Sequence, residues 1–157
     1  MVLLSSNSDG KSVLEFYERQ NKNFDFTTEI EFEEQINSFT FADLDSSGTI
    51  DLILIVKEAD TRTIKVIYNS KSEIDEICRS SPEFPFDAKN MKNIEITYPL
   101  SSEGILHFGD INSDSYPDLL AIVEVKEVRK PYLFYNEEKK SERTFTAINS
   151  KTSSIIT

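Results

Sequence analysis

The chain has 157 residues, 38% of them hydrophobic, with 11 Phe and 6 Tyr. That suits one globular domain or a few small repeats and is too apolar for a disordered polymer. A formal net charge of −11 argues against a nucleic-acid surface, whose phosphates demand clustered Lys and Arg, and suits carboxylates that wait for cations, although most of such an excess serves solubility.

The one cysteine, Cys78, permits no internal disulfide. No segment reaches the ~18 apolar residues of a membrane span. Met1-Val2-Leu3-Leu4 has no basic stretch before it and turns polar at Ser5, unlike a signal peptide. No Asn is followed two residues on by Ser or Thr, so there is no N-glycosylation acceptor.

In chain order, residues 5–11 read as a turn or a frayed terminus. Ser12 to Tyr17 alternates, with Leu14 and Phe16 on one face and Val13, Glu15 and Tyr17 on the other, and predicts a strand. Gln20 to Asn23 is a turn. Asn23 to Phe32 alternates again through Phe24, Phe26, Ile30 and Phe32. Ser38 to Ala42 is a short strand. Asp51 to Val56 is a continuous apolar run, as expected of a strand buried on both faces. Glu58 to Arg62 reads as a polar turn, and Thr63 to Tyr68 as a strand with Ile64, Val66 and Tyr68 on one side. Ser72 to Cys78 suits one helical turn, and Pro82 and Pro85 mark an irregular connection. Ile94–Tyr98, Gly104–Gly109, Asp118–Val125, Tyr132–Tyr135 and Arg143–Ile148 read as further strands, with a charged turn over Glu137–Glu142 and a polar tail from Asn149. No long amphipathic helix appears, so the expected class is all-β.

Between two of these strands lies Asp43-Leu44-Asp45-Ser46-Ser47-Gly48-Thr49-Ile50-Asp51, with acidic or hydroxyl side chains at positions 1, 3, 5 and 9 and glycine at position 6. An imperfect copy, Asp110 to Asp118, follows at an offset of 110 − 43 = 67. At that one offset, without a gap, Phe39–Asp43 lies over Leu106–Asp110, Asp51–Val56 over Asp118–Val123, and Val66–Asn69 over Leu133–Asn136. Leu14–Tyr17 with Phe24–Phe26 resembles the end of one more copy. The expected organisation is therefore the end of a unit at 1–27, a unit at 28–92 and a unit at 93–157, a size that suits propeller blades. Two and a half such units cannot close a ring, which leads to the expectation of a larger parent chain.

A loop that presents oxygens at alternate positions can wrap a cation such as Ca²⁺, which takes six to eight oxygen ligands. In the first loop the candidate ligands are the side chains of Asp43, Asp45, Ser47 and Asp51 with the Thr49 carbonyl. In the second they are Asp110, Asn112, Asp114 and Asp118 with the Tyr116 carbonyl. All-oxygen ligands disfavour Zn²⁺ and Cu, and Mg²⁺ wants a stricter octahedron. An EF-hand needs a carboxylate at position 12, where Leu54 and Ala121 stand, and helical flanks. In the second loop Ser115 takes the glycine position, at a cost of about 1–2 kcal/mol if its backbone is left-handed, and Pro117 stiffens position 8. The plain alternative is that Asp, Asn, Ser and Gly are turn formers between strands; repetition in register argues against it. No nucleophile elbow, zinc-protease motif, P-loop or dinucleotide fingerprint is present, and the alternate spacing of the acids suits ligands of one ion better than paired catalytic carboxylates. The lone His107 suits packing or surface, and the Lys126–Lys130 and Lys139–Arg143 clusters read as solvated turns.

Phe41-Ala42-Asp43 to Asp51 and Phe108-Gly109-Asp110 to Asp118 resemble FG-GAP repeats of integrin α-subunit propellers and related proteins. The resemblance covers both units and is most specific at His107-Phe108-Gly109-Asp110 and Tyr116-Pro117-Asp118. It implies β-propeller blades, Ca²⁺ in the blade loops, a non-enzymatic module for protein interaction or adhesion, and an extracellular or lumenal, membrane-anchored parent. This segment itself carries no membrane or nucleic-acid contact. Two other readings remain open: a carbohydrate-binding or hydrolase- or lyase-associated propeller, and a metal-free structural repeat.

Overall fold

A computed structural model describes residues 1–69, 84–96, 98–125, 128–139 and 142–148. The helical turn expected over 72–78, with Cys78, and the tail from Asn149 lie outside them. The class is all-β, as expected. A single 3-10 turn, Ala88–Asn90, capped by the Asp87 carboxylate on the Lys89 N–H, is the one helical element among the described residues.

The first sheet joins β1 (Val2–Ser6), β2 (Ser12–Gln20) and β3 (Asn23–Phe32) in that order. Residues 1–6 were not expected to form a strand; Val2–Ser6 pairs antiparallel with β2, Val2 opposite Phe16 and Ser6 opposite Ser12. β3 has the predicted span but not the predicted faces. Phe16 pairs with Thr28 and Tyr17 with Phe26, which leaves Thr27 as an extra residue. One extra residue inverts the alternation beyond it. Ile30 and Phe32 therefore share the buried face of Leu14 and Phe16, while Phe24 and Phe26 lie with Tyr17 on the outer face. β3 also runs through the boundary expected at 27/28.

The first repeat unit is β4 (Ile36–Ala42), β5 (Asp51–Glu58) and β6 (Thr61–Ile67). The turn expected over 58–62 shrinks to Ala59-Asp60, with Ala59 left-handed at φ 45. The segment predicted as one strand over 94–98 is instead two short bridges, β7 (Lys92–Asn93) on β6 and β8 (Glu95–Ile96) parallel to β13 (Glu142–Ala147). β9 (Leu100–Ser101), β10 (Leu106–Gly109), β11 (Asp118–Val125) and β12 (Val128–Lys139) complete the second unit with β13. β12 is far longer than the predicted 132–135, because its ends are charged and lack an apolar alternation.

The 67-residue repeat holds pair by pair. Ala42 opposes Asp51 as Gly109 opposes Asp118, and Phe39 opposes Leu54 as Leu106 opposes Ala121. Leu52 opposes Ile67 as Leu119 opposes Phe134, and Glu58 opposes Thr61 as Val125 opposes Val128. The units part at the start of the first strand. Ile36 pairs with Val56 after a one-residue bulge, whereas the equivalent pair, Leu100 with Val123, is separated from β10 by an excursion over 102–105. Gly104 in that excursion has φ +98, and a Cβ there would stand 2.7 Å from Ile122 Cγ1, so the close approach requires glycine.

The strands form two sheets, the three-stranded one and a ten-stranded one that carries both repeat units, and they enclose two cores. One core holds Leu14, Phe16, Ile30 and Phe32 of the first sheet against Leu52, Leu54, Val56 and Ile67 of the first unit. The other holds Ile53, Ile55, Ile64 and Val66 against Leu119, Ala121, Val123, Phe134 and Phe145 of the second unit. β5 is thus buried from Asp51 to Val56 on both faces, as its unbroken apolar run predicts. The units also join along their edges, where β9 bonds both β6 and β11.

Candidate metal centre

The acidic loops connect β4 to β5 and β10 to β11, and both close on the same frame. In the first, Ser47 N–H donates to Asp43 Oδ1 (2.9 Å) and to Asp45 Oδ1 (3.1 Å), and Gly48 N–H donates to Asp43 Oδ2 (2.8 Å). In the second, Asp114 N–H donates to Asp110 Oδ1 (3.1 Å) and Asn112 Oδ1 (3.0 Å), and Ser115 N–H to Asp110 Oδ2 (3.0 Å). Side chains of Asp and Asn fold back on the backbone in this way because their oxygens reach an N–H two residues on.

The last acid of each loop is already the first residue of a buried strand. Asp51 takes the Leu44 N–H on Oδ2 (2.8 Å) and the Asn69 N–H on Oδ1 (3.0 Å). Asp118 takes Ile111 and Asn112 N–H on Oδ2 (3.0 and 3.1 Å) and Asn136 N–H on Oδ1 (3.1 Å). Both side chains are fully buried. Burial pushes the Asp51 carboxyl up to about 6; the two N–H donors oppose that shift, and the charges of Asp45 and Asp43 add to it.

The two loops differ in what they bring together. Carboxylate oxygens of Asp43, Asp45 and Asp51 all lie within 4.8 Å of one another, the one such trio of acidic or metal-ligating side chains among the described residues. Ser47 Oγ and Thr49 Oγ1 sit 2.8 Å apart beside them, and Thr49 Oγ1 donates to the Asn69 carbonyl. In the second loop Asp110, Asp114 and Asp118 do not converge to that distance. There the Asn112 amide donates to Asp114 Oδ2 (2.8 Å), and the Tyr116 ring lies under the Arg143 guanidinium, 3.7 Å from ring centroid to Cζ. Three converging carboxylates with hydroxyls at hand make a hard-oxygen donor set, and a divalent cation would relieve their mutual repulsion.

The loops touch each other. Ser46 Oγ donates to the Ser115 carbonyl (2.6 Å), Asn136 Nδ2 to the Leu44 carbonyl (2.9 Å) and Arg143 to the Asp45 carbonyl (3.5 Å). Arg143 was expected to begin the last strand, at the edge of a solvated charged cluster; β13 does carry it, but to the junction of the loops. Asn69 and Asn136 were aligned by the repeat but given no role, and their identity at the 67-residue spacing was the available signal. Asn136 Oδ1 is buried and has no hydrogen-bond partner. His107 is exposed and lines a cavity of about 430 Å³ between β4 and β10 with Phe39, Phe41, Phe108 and Pro117.

Compared with known proteins, the chain matches no family model, no curated protein and no solved structure. Among the described residues no helix is long and apolar enough to cross a membrane.

The left-handed positions of the loops repeat as well: Ser46 and Ser113 at φ 55 and 65, Gly48 and Ser115 at φ 85 and 74. Glycine at 48 carries this backbone without penalty, while Ser115 bears a Cβ there. Ser115→Gly removes that strain and adds unfolded-chain entropy, so the expected net gain is up to about 1 kcal/mol, read as a higher urea midpoint with unchanged slope.

Proposed function

We propose that this chain is a non-enzymatic, Ca²⁺-stabilised module of FG-GAP type, two blades and part of a third from a β-propeller, that serves protein interaction or adhesion within a larger membrane-anchored ectodomain. In support of this reading, residues 38–118 resemble a segment of T-cell immunomodulatory protein, a resemblance that rests on the His107-Phe108-Gly109-Asp110 and Tyr116-Pro117-Asp118 stretches. The observation that carries the metal reading is the convergence of Asp43, Asp45 and Asp51 within 4.8 Å on a loop frame that the chain builds twice. Ser47, the Thr49 carbonyl and, in the second loop, Asp110, Asn112, Asp114, the Tyr116 carbonyl and Asp118 are the remaining proposed ligands. A cation there stiffens the loop that connects two strands, and the loops are the surface offered to a protein partner.

A metal-free structural repeat is the second reading. In its favour, both oxygens of Asp43 and of Asp51 already accept backbone N–H groups, so the loops close without an ion. Calorimetric titration with Ca²⁺ separates the two. The Ca²⁺ reading expects heat of binding and a rise in melting temperature, equivalent to about 2.7 kcal/mol at a hundredfold excess over the dissociation constant. It also expects both signals to vanish in Asp43→Ala/Asp110→Ala. Absence of heat and of any melting shift in the unaltered chain leaves the metal-free repeat.

A further inference from the structure

The first strands of the two repeat units, β4 and β10, each face a cleft, and the chain fills only one of the two with aromatic rings from its own connector. On β4, Phe39 and Phe41 oppose Leu54 and Leu52 and share their side of the sheet, toward the three-stranded sheet. The space before them is taken by Phe84 and Phe86 of the connector between the units. The Phe86 ring lies 6.0 Å from that of Phe41 and 6.3 Å from that of Phe16, and the Phe84 ring 4.6 Å from that of Phe16. Pro85 stands between the two rings and restricts the backbone that presents them.

On β10 the same positions are Leu106 and Phe108, which oppose Ala121 and Leu119 and face the first unit. Phe145 of β13 supplies one ring there, 5.9 Å from Phe108. Beside it lies the cavity of about 430 Å³, whose other wall is the small side chains of Ser38, Thr40 and Ala42 with the buried Ile55. Ala42, Ile55, Leu106 and Phe108 also belong to the core between the units, so the cleft continues an interface the chain already makes. Both of its walls belong to units this chain supplies. Asp110 is the carboxylate that lines it, and β4 and β10 both run directly into the acidic loops. At the 67-residue spacing, Phe84-Pro85-Phe86 corresponds to Lys151-Thr152-Ser153, which has no ring to offer. Among the described residues β4 pairs only with β5, and β10 only with β11, so each strand leaves one backbone edge open to an extended chain.

We propose that the cleft between β4 and β10 binds an extended segment of a partner protein that carries two aromatic side chains about a proline, flanked by Lys or Arg, in the way the connector's own Phe84-Pro85-Phe86 occupies the cleft on the other side of β4. The rings enter between Leu106 and Phe108 on one wall and Ser38, Thr40 and Ala42 on the other, and the basic flanks meet the acidic loops. A cavity of this size is in the range that takes such side chains. The proposal rests on the protein-interaction reading above and names the site and the partner's chemistry; it does not require a cation in the loops.

Titration of the full chain with a capped peptide, Lys-Lys-Phe-Pro-Phe-Lys-Lys, followed by amide NMR shifts in the presence of EDTA, tests this. Saturable shifts are expected over 38–42 and 106–110, and none with the peptide in which both Phe are Ala. Ser38→Phe places a ring in the cleft from an exposed position and is expected to weaken the peptide at least about tenfold. Phe108→Leu, which keeps an apolar side chain in the core but removes the ring, is expected to weaken it as well, and circular dichroism verifies that both variants are folded. Absence of shifts up to millimolar peptide overturns the proposal. Equal binding of the alanine peptide does so too, because it marks charge attraction alone. Shifts confined to Phe16, Phe84 and Phe86 also overturn it, because they mark exchange with the chain's own connector. Heat of Ca²⁺ binding is measured separately on the same protein, so loss of peptide binding with that heat intact counts against the cleft and not against the metal reading.

Discussion

Replacing Asp51 with alanine is expected to destabilise the protein by about 2–3 kcal/mol, as measured by urea unfolding. The carboxylate is fully buried and accepts the N–H groups of Leu44 and Asn69. Alanine takes the carboxylate acceptor from the buried Leu44 N–H, at about 1–3 kcal/mol, and from the half-buried Asn69 N–H, and relief of the carboxylate's own desolvation offsets part of that loss. The damage spreads, because the segment so held is the one that Asn136 and Arg143 reach from the second unit. Asp51 also sets a pH dependence. Its folded pKa, about 6, lies above the ordinary carboxylate value of 3.8. Between those values the folded chain binds more protons than the unfolded one. The stabilising contribution is therefore complete below 3.8 and is lost as pH rises through about 6, with a slope of at most about 1.4 kcal/mol per pH unit. Urea midpoints measured without divalent cations from pH 4 to 7 report this loss, and Asp51→Asn, which keeps an acceptor oxygen but no titrating proton, is expected to flatten it.

Replacing Arg62 with alanine is expected to cost about 2–4 kcal/mol and to loosen the join between the two repeat units. Arg62 is 6% exposed, and its guanidinium donates from Nε to the Ser101 carbonyl (2.6 Å) and from one terminal nitrogen to the Glu103 and Gly104 carbonyls (3.2 Å each). Burial pushes its pKa down, a sign that the charge is held at a cost in solvation. The three carbonyls belong to β9 and to the excursion that distinguishes the second unit from the first. Alanine leaves them without this donor, although it also removes the cost of burying a guanidinium. Arg62→Lys keeps the charge but lacks the fork that serves three acceptors, so about half of the loss is expected to persist. Hydrogen exchange at residues 101–105 checks the location of the effect: protection there is expected to fall first.

Much of this architecture was legible in the chain itself. Strand identity over 23–32, 51–56 and 118–125 follows from alternation or from an unbroken apolar run between turn residues. The 67-residue repeat follows from three aligned blocks, and it carries the pairing register with it, since hairpin partners lie close in sequence and both copies pair alike. The acidic loops were legible for the same reason, as their spacing is local. The charged ends of β12 and the start of β1 were not, because a strand that lacks apolar alternation gives no periodic signal.

What the tertiary structure alone decided are the relations across distance. The bulge at Thr27 turns Phe24 and Phe26 outward, although their spacing matches that of the buried Ile30 and Phe32, since one unpaired residue inverts a period of two. Arg62 read as the end of a polar turn and Arg143 as the start of a strand beside one; each became a clamp only when packing brought carbonyls from residues 101–104 and from Asp45 to it. Asn136 meets Leu44 across 92 residues. The convergence of Asp43, Asp45 and Asp51, and its lack in the second loop, also needed coordinates. Local spacing sets which atoms are available, whereas backbone turns and the packing of a neighbouring sheet set which of them meet.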